Sequence, residues 1–147
     1  MIIKGAAKNM KHIRIIFIFL FFSLAFTFNC KKDPSSVTTG PHIEDITVEQ
    51  AKTLVDSDKE VKILDVRTSA EYSDSHIPNA FNIDFYSDSF STDVDSLDHN
   101  AKYLIYCRSG NRSKSATNIM ETKGFKSLYN MLGGFDDWKA KGYPVTH

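Results

Sequence analysis

The sequence carries no excess of charge of either sign, with 18 Lys and Arg against 18 Asp and Glu in 147 residues. That balance excludes a strongly basic nucleic-acid binder by composition. Cysteine is scarce: there are two, Cys30 and Cys107, which excludes a disulfide-dense scaffold and a four-cysteine zinc site. They do not form a C-x-x-C pair, so a dithiol redox centre has no support. Internal repeats and low-complexity runs are absent. The longest nearly unbroken apolar run has 14 residues, short of the roughly 20 that a membrane-spanning helix needs. What the chain has is an apolar fraction of 41%, too high for a disordered polymer, in a length that allows one ordinary domain.

The even charge hides an asymmetry. Residues 1–29 hold four basic residues (Lys4, Lys8, Lys11, Arg14) and no acidic one, which leaves 14 basic against 18 acidic residues, a net of −4, on residues 30–147. The apolar run IIFIFLFFSLAFTF (Ile15–Phe28) follows the basic stretch. A basic segment and then a short apolar core is the pattern of an export signal. A start at Met10 would give a compact signal beginning MKHIRIIF. Cys30 stands where the run stops, followed by KKDPSSVTTGP, a polar tether whose single apolar residue is Val37. This arrangement resembles a bacterial lipoprotein signal, although Asn29 stands where a small residue is usual. The resemblance implies lipidation of Cys30 and a membrane-anchored protein of the cell envelope. The expected organisation is an export signal over 1–29, a lipidation site and tether over 30–41, and a folded domain over 42–147. Fully extended, Lys31–Pro41 would reach about 35–40 Å.

Within the domain, short apolar segments alternate with helical patterns. Thr47–Gln50 and Thr68–Glu71 read as capping boxes that open helices. Val61–Val66, Ala80–Ile83, Lys102–Tyr106 (KYLIY) and Ser127–Met131 read as strands. Ser113–Lys123 and Phe135–Lys141 read as helices, stopped by Gly124 and by Gly142 with Pro144. The acidic stretch from Asp84 to Asn100 is ambiguous between loop and short helix, and is most simply solvated, although it could line an entrance and repel anions. Alternating strands and helices predict an α/β fold with a parallel sheet of about five strands flanked by helices on both faces. Ligands bind beyond the carboxyl ends of the strands in such sheets.

One loop there has evident chemistry: Cys107-Arg108-Ser109-Gly110-Asn111-Arg112, between KYLIY and the next helix. An ionised Cys is a strong nucleophile. A thiolate at a helix N-terminus meets free N–H groups and the positive end of the helix dipole. Arg108 and Arg112 add charge, so the thiol is expected to ionise easily. Gly110 and Asn111 tolerate the left-handed geometry of a loop that curls its N–H groups inward. The sum is a cradle for an anion with a nucleophile at its base.

Three segments together resemble the rhodanese-like sulfurtransferases: ILDVRTSAEYSDSHIPNAFNI (Ile63–Ile83), YLIYCRSGNRS (Tyr103–Ser113) and GGFDDWKAKGYPV (Gly133–Val145). The resemblance implies that Cys107 takes the outer sulfur of a donor such as thiosulfate, holds it as a persulfide, and yields it to a thiol or cyanide. It implies that the N–H groups of residues 108–112 hold the persulfide charge, that Arg112 shapes the loop, and that Arg108 faces the entrance and draws in a dianionic donor. It implies no metal, no organic cofactor and no nucleic-acid partner, and a monomer is expected. Asp65, Arg67, Glu71 and His76 match supporting positions. Arg67 and Glu71 are expected to pair at i,i+4, His76 to bond near its turn, and Trp138 to pack in the core. Ser75 and Asn79 stand where the family has glycine; Asn79 suits left-handed backbone, and Ser75 implies a shifted turn. His42, His99 and His147 have no ligand spacing.

Two rivals share these residues. Cysteine phosphatases and arsenate reductases carry five residues between Cys and Arg, against four here, and the tighter loop suits a single sulfur. A non-catalytic docking module is the other, but such modules often lose the Cys. An exported protein raises a further expectation, that a lone exposed thiolate is vulnerable to oxidation.

Overall fold

The computed structural model describes residues 40–147. The export signal, Cys30 and the tether up to residue 39 lie outside them. Five strands, β1 (His42–Ile46), β2 (Lys62–Asp65), β3 (Ala80–Asn82), β4 (Lys102–Tyr106) and β5 (Ser127–Met131), form one sheet in the order β1-β5-β4-β2-β3. Every neighbouring pair is parallel. The helices are α1 (Val48–Ser57), α2 (Ser69–Asp74), α3 (Phe90–Asp95), α4 (Asn111–Thr122) and α5 (Gly134–Ala140).

The period-2 alternation of strands divides the core in two. Ile63, Leu104, Tyr106 and Met131 face one side, where Ala51 of α1 and Phe135 and Trp138 of α5 cover them. Leu64, Tyr103, Ile105 and Leu128 face the other, beneath Phe90 and Val94 of α3 and Ala116 and Met120 of α4. Central β4 is therefore buried on both faces. Only its first residue, Lys102, is exposed, which is why KYLIY reads as a continuous apolar strand.

Both capping boxes form. The Gln50 N–H donates to Thr47 Oγ1 at 3.3 Å and the Thr47 N–H to Gln50 Oε1 at 2.8 Å. Thr68 and Glu71 repeat the exchange at the head of α2.

The structure differs from expectation at several points. His42–Ile46 forms an edge strand that the sequence pattern does not announce, because its residues are polar and mostly exposed. The acidic stretch is not simply solvated: it contains α3, whose Phe90 and Val94 lie i,i+4 and are both buried. Asn79 is left-handed at φ 65°, as expected. Asn111 is not, since it opens α4 and Gly110 alone in the loop takes positive φ. Ser75 does not need glycine either, because its φ of −165° is ordinary extended backbone.

Candidate active site

Cys107 follows β4 at the carboxyl edge of the sheet, and α4 begins four residues later. Gly110 makes the turn between them at φ 98°, a conformation that a side chain would strain. The turn sends the Gly110 N–H to Cys107 Sγ at 3.1 Å. Ser113, one turn into α4, places its hydroxyl 3.0 Å from Gly110 O and 3.7 Å from the sulfur. Burial of the thiol opposes its ionisation and is the strongest single influence. The Ser113 backbone and hydroxyl, with the N–H groups of Ser109 and Gly110, outweigh it and hold the thiol below its ordinary pKa.

The expected N–H donors thus hold the thiol down. The Arg112 guanidinium is hydrogen-bonded to a carboxylate rather than to the sulfur. Arg112 Nη1 and Nη2 each donate to Glu71 at 2.8 Å in a bidentate pair. Glu71 also accepts from the Thr68 N–H at 3.0 Å and from its hydroxyl at 2.9 Å. The Arg112 bond, foremost among these, lowers the Glu71 carboxyl to about 2.

This corrects the expected Arg67–Glu71 pair. Arg67 precedes the Thr68 cap and is not on the helix, so the i,i+4 rule does not reach it. It turns back to Asp65, with Nη2 donating to Oδ2 at 2.6 Å, and also donates to Ser75 O at 2.6 Å. Its guanidinium lies 4.0 Å from the Phe135 ring centroid. Both partners are buried.

A pocket of about 450 Å³ opens onto the sulfur, lined by Thr68, Glu71, Tyr86, Cys107, Arg108, Ser109, Asn111 and Arg112. Cys107 as a whole is 1% exposed. It sits at the floor of the pocket rather than on the surface, which corrects the expectation of an exposed thiolate. Arg108 stands at the rim, its side chain 69% exposed and its Nε 3.9 Å from Asp136. Asp65, Arg67 and His76 do not line the pocket. His76 Nδ1 donates to Tyr72 O at 2.9 Å and its ring stacks on Tyr72, a structural placement. Trp138 is buried, and its Nε1 donates to Pro144 O at 2.8 Å.

Sequence reasoning missed three contributors. Ser113 was legible as the polar residue one turn past Gly110. Thr68 was seen as a cap but not as a pocket wall. Tyr86, exposed beside Arg112 with its ring centroid 5.5 Å from the guanidinium, carries no signal in its local sequence.

A family model for the rhodanese-like domain matches residues 47–141. The chain belongs to the rhodanese-like family. Among its relatives, the putative sulfur carrier protein YrkF of Bacillus subtilis is 37% identical over 99 residues, which are 67% of this chain and 52% of that protein. The chain thus spans about half the length of that relative. The thiosulfate sulfurtransferase GlpE of Actinobacillus pleuropneumoniae is 27% identical over 101 residues, covering 69% of this chain and 91% of GlpE. The crystal structure of a rhodanese-related protein of Thermoplasma volcanium superposes with a TM-score of 0.62 at 27% identity, over 70% of this chain and 97% of that one. The five-stranded parallel sheet with helices on both faces is the fold of this rhodanese-like family.

Proposed function

We propose that this rhodanese-like domain moves a sulfane sulfur from a small donor anion such as thiosulfate to a thiol or cyanide, through a persulfide on Cys107. The observation that carries the reading is the buried Cys107 sulfur beneath the pocket, with the Gly110 N–H at 3.1 Å and the Ser113 hydroxyl at 3.7 Å. The Cys107 thiolate attacks the outer sulfur of thiosulfate. The S–S bond of the donor breaks, and sulfite leaves with its electron pair. The persulfide anion takes up the charge, and the loop N–H groups stabilise it as an oxyanion hole does. An acceptor thiolate, or cyanide, then attacks the outer sulfur, and the Cys107 thiolate is the leaving group. No net oxidation occurs. Arg108, at the rim, attracts the donor anion. The name of GlpE supports thiosulfate as donor, and that of YrkF supports a carrier role.

The test uses the full-length chain. Thiosulfate-dependent thiocyanate formation is expected, together with a mass gain of one sulfur atom on Cys107. Both vanish in Cys107→Ser. Folded, reduced protein that neither turns over nor gains sulfur would overturn the reading. Robust hydrolysis of a phosphate ester instead would favour the oxyanion alternative.

The same proposal places the domain in the cell envelope, monomeric and held to a membrane by a lipid on Cys30. Its support is the signal-like N-terminal sequence. Cys30→Ala is expected to release the protein from the membrane fraction. Unchanged sedimentation with membranes would sink the lipid anchor.

A further inference from the structure

The Cys107 loop is gripped from behind. The Phe135 N–H donates to Cys107 O at 2.8 Å and the Asp136 N–H donates to Arg108 O at 3.0 Å. Both donors belong to the first turn of α5. A trans peptide points its C=O and N–H in opposite directions. The Arg108 carbonyl shares its plane with the Ser109 N–H, which helps hold the thiol below its ordinary pKa and precedes the Gly110 N–H that donates to the sulfur at 3.1 Å. Holding that carbonyl toward α5 therefore aims the Ser109 N–H at Cys107. Holding the Cys107 carbonyl fixes the Arg108 peptide in the same sense.

Such an approach requires a residue without a side chain. A Cβ on Gly134 would fall on the Cys107 carbonyl oxygen and lie 2.6 Å from Arg108 O and 2.7 Å from Arg108 C. Those atoms are loop backbone, so relief would have to come from the carbonyls that α5 holds. Two neighbouring glycines differ. Gly133 (φ +73°) would meet first the Asp137 side chain, its Cβ at 2.9 Å, rather than the loop, and Gly142 (φ +69°) would meet nothing within 4 Å. Gly134 has φ +63°, so the three share the left-handed backbone, and Gly134 alone among them touches the loop.

We propose that Gly134 is a positioning residue for the chemistry of Cys107: its bare backbone seats α5 against the loop, and the two carbonyls held there keep the loop N–H groups turned on the sulfur. The inference rests on the reading of Cys107 as the sulfur-bearing nucleophile.

The test is the pH profile of iodoacetamide labelling at Cys107, read peptide by peptide by mass spectrometry on the full-length chain. Gly134→Ala is expected to move the inflection up toward the free-thiol value of about 8.5. Sulfur loading from thiosulfate should slow by about tenfold or more. Gly142→Ala imposes a similar backbone strain with nothing to collide with, and should leave the inflection at its wild-type position. A folded Gly134→Ala with a wild-type inflection overturns the proposal, as does an equal shift in Gly142→Ala. Where Gly134→Ala does not fold, the wild type decides by ¹⁵N NMR. The Asp136 amide, with the Gly110 and Ser113 amides of the loop, should titrate with the midpoint of Cys107, because its acceptor Arg108 O shares a peptide plane with the Ser109 N–H, one of the groups that lower the thiol pKa. Amides that stay still through that titration overturn the inference. Labelling needs no sulfur transfer, so a wild type that titrates normally without turning over would sink the proposed function alone.

Discussion

Two arginine–carboxylate pairs, one local in the sequence and one distant, do different work. Asp65–Arg67 is enclosed, with side chains 0% and 4% exposed, beneath the Phe135 ring. Glu71–Arg112 lies at the pocket wall, with side chains 30% and 16% exposed, and joins elements 41 residues apart. In the first pair burial works most strongly against the guanidinium charge, and the Asp65 hydrogen bonds and charge, with Tyr106 and Glu71, together outweigh it. Neither member can lose its partner without stranding a charge away from water. In the second, water can still reach both groups, so the pair sets the shape of a wall more than the stability of the domain. Chemically alike contacts thus acquire structural or functional roles from their depth.

The sharpest way to break this contrast is Asp65→Ala. It should cost about 3–5 kcal/mol in denaturant unfolding, because Arg67 stays buried and unpaired. Removing both charges with Asp65→Asn and Arg67→Met should cost less than the single change. A single change milder than the double one would refute the buried-charge argument.

Glu71→Gln should act in the opposite proportion. Gln keeps the capping box, so stability should fall by only about 1 kcal/mol. Arg112 loses its anchor, and sulfur loading should slow by about tenfold to a hundredfold. The acid limb gives a second check. The Glu71 carboxyl is lowered from 4.5 to about 2, foremost by Arg112, so its stabilisation is full above 4.5 and is lost as pH falls toward about 2. The stability gap between wild type and Glu71→Gln should close over that window. A gap that widens toward acid would contradict the assignment.

The smallest effect belongs to Arg108→Ala, which removes an exposed cation at the rim. Stability should stay within about 0.5 kcal/mol. The KM for thiosulfate should rise by less than about tenfold, with the rise fading as salt is added. A KM unchanged even at low salt would remove Arg108 from donor capture.

Much of the fold was legible. β4 and β5 match the expected spans, and α1 and α2 begin at the expected caps. Burial on both faces and capping hydrogen bonds are written in neighbouring residues, and both patterns are visible in a short window. β1 was not legible because HIEDI looks like a loop until β5 pairs with it. α3 was obscured by acidic and Ser residues around the two apolar positions that anchor it. At the site, the Cys107 loop was readable from its residue types. The partner of Arg112 was not, because the choice between Glu71 and another carboxylate depends on how α2 is placed beside α4.

The chain order alone determined the alternation of strands and helices, and the cysteine-centred loop at the end of β4, since each depends on residues adjacent in sequence. Tertiary structure decided which arginine pairs with which carboxylate, how deep the thiol lies, and that the first turn of α5 clasps the carbonyls of Cys107 and Arg108. The Glu71–Arg112 pair is 41 positions apart and the clasped carbonyls lie 28 positions from their donors, and charge and backbone groups select partners by distance and burial, which exist only once the sheet has assembled.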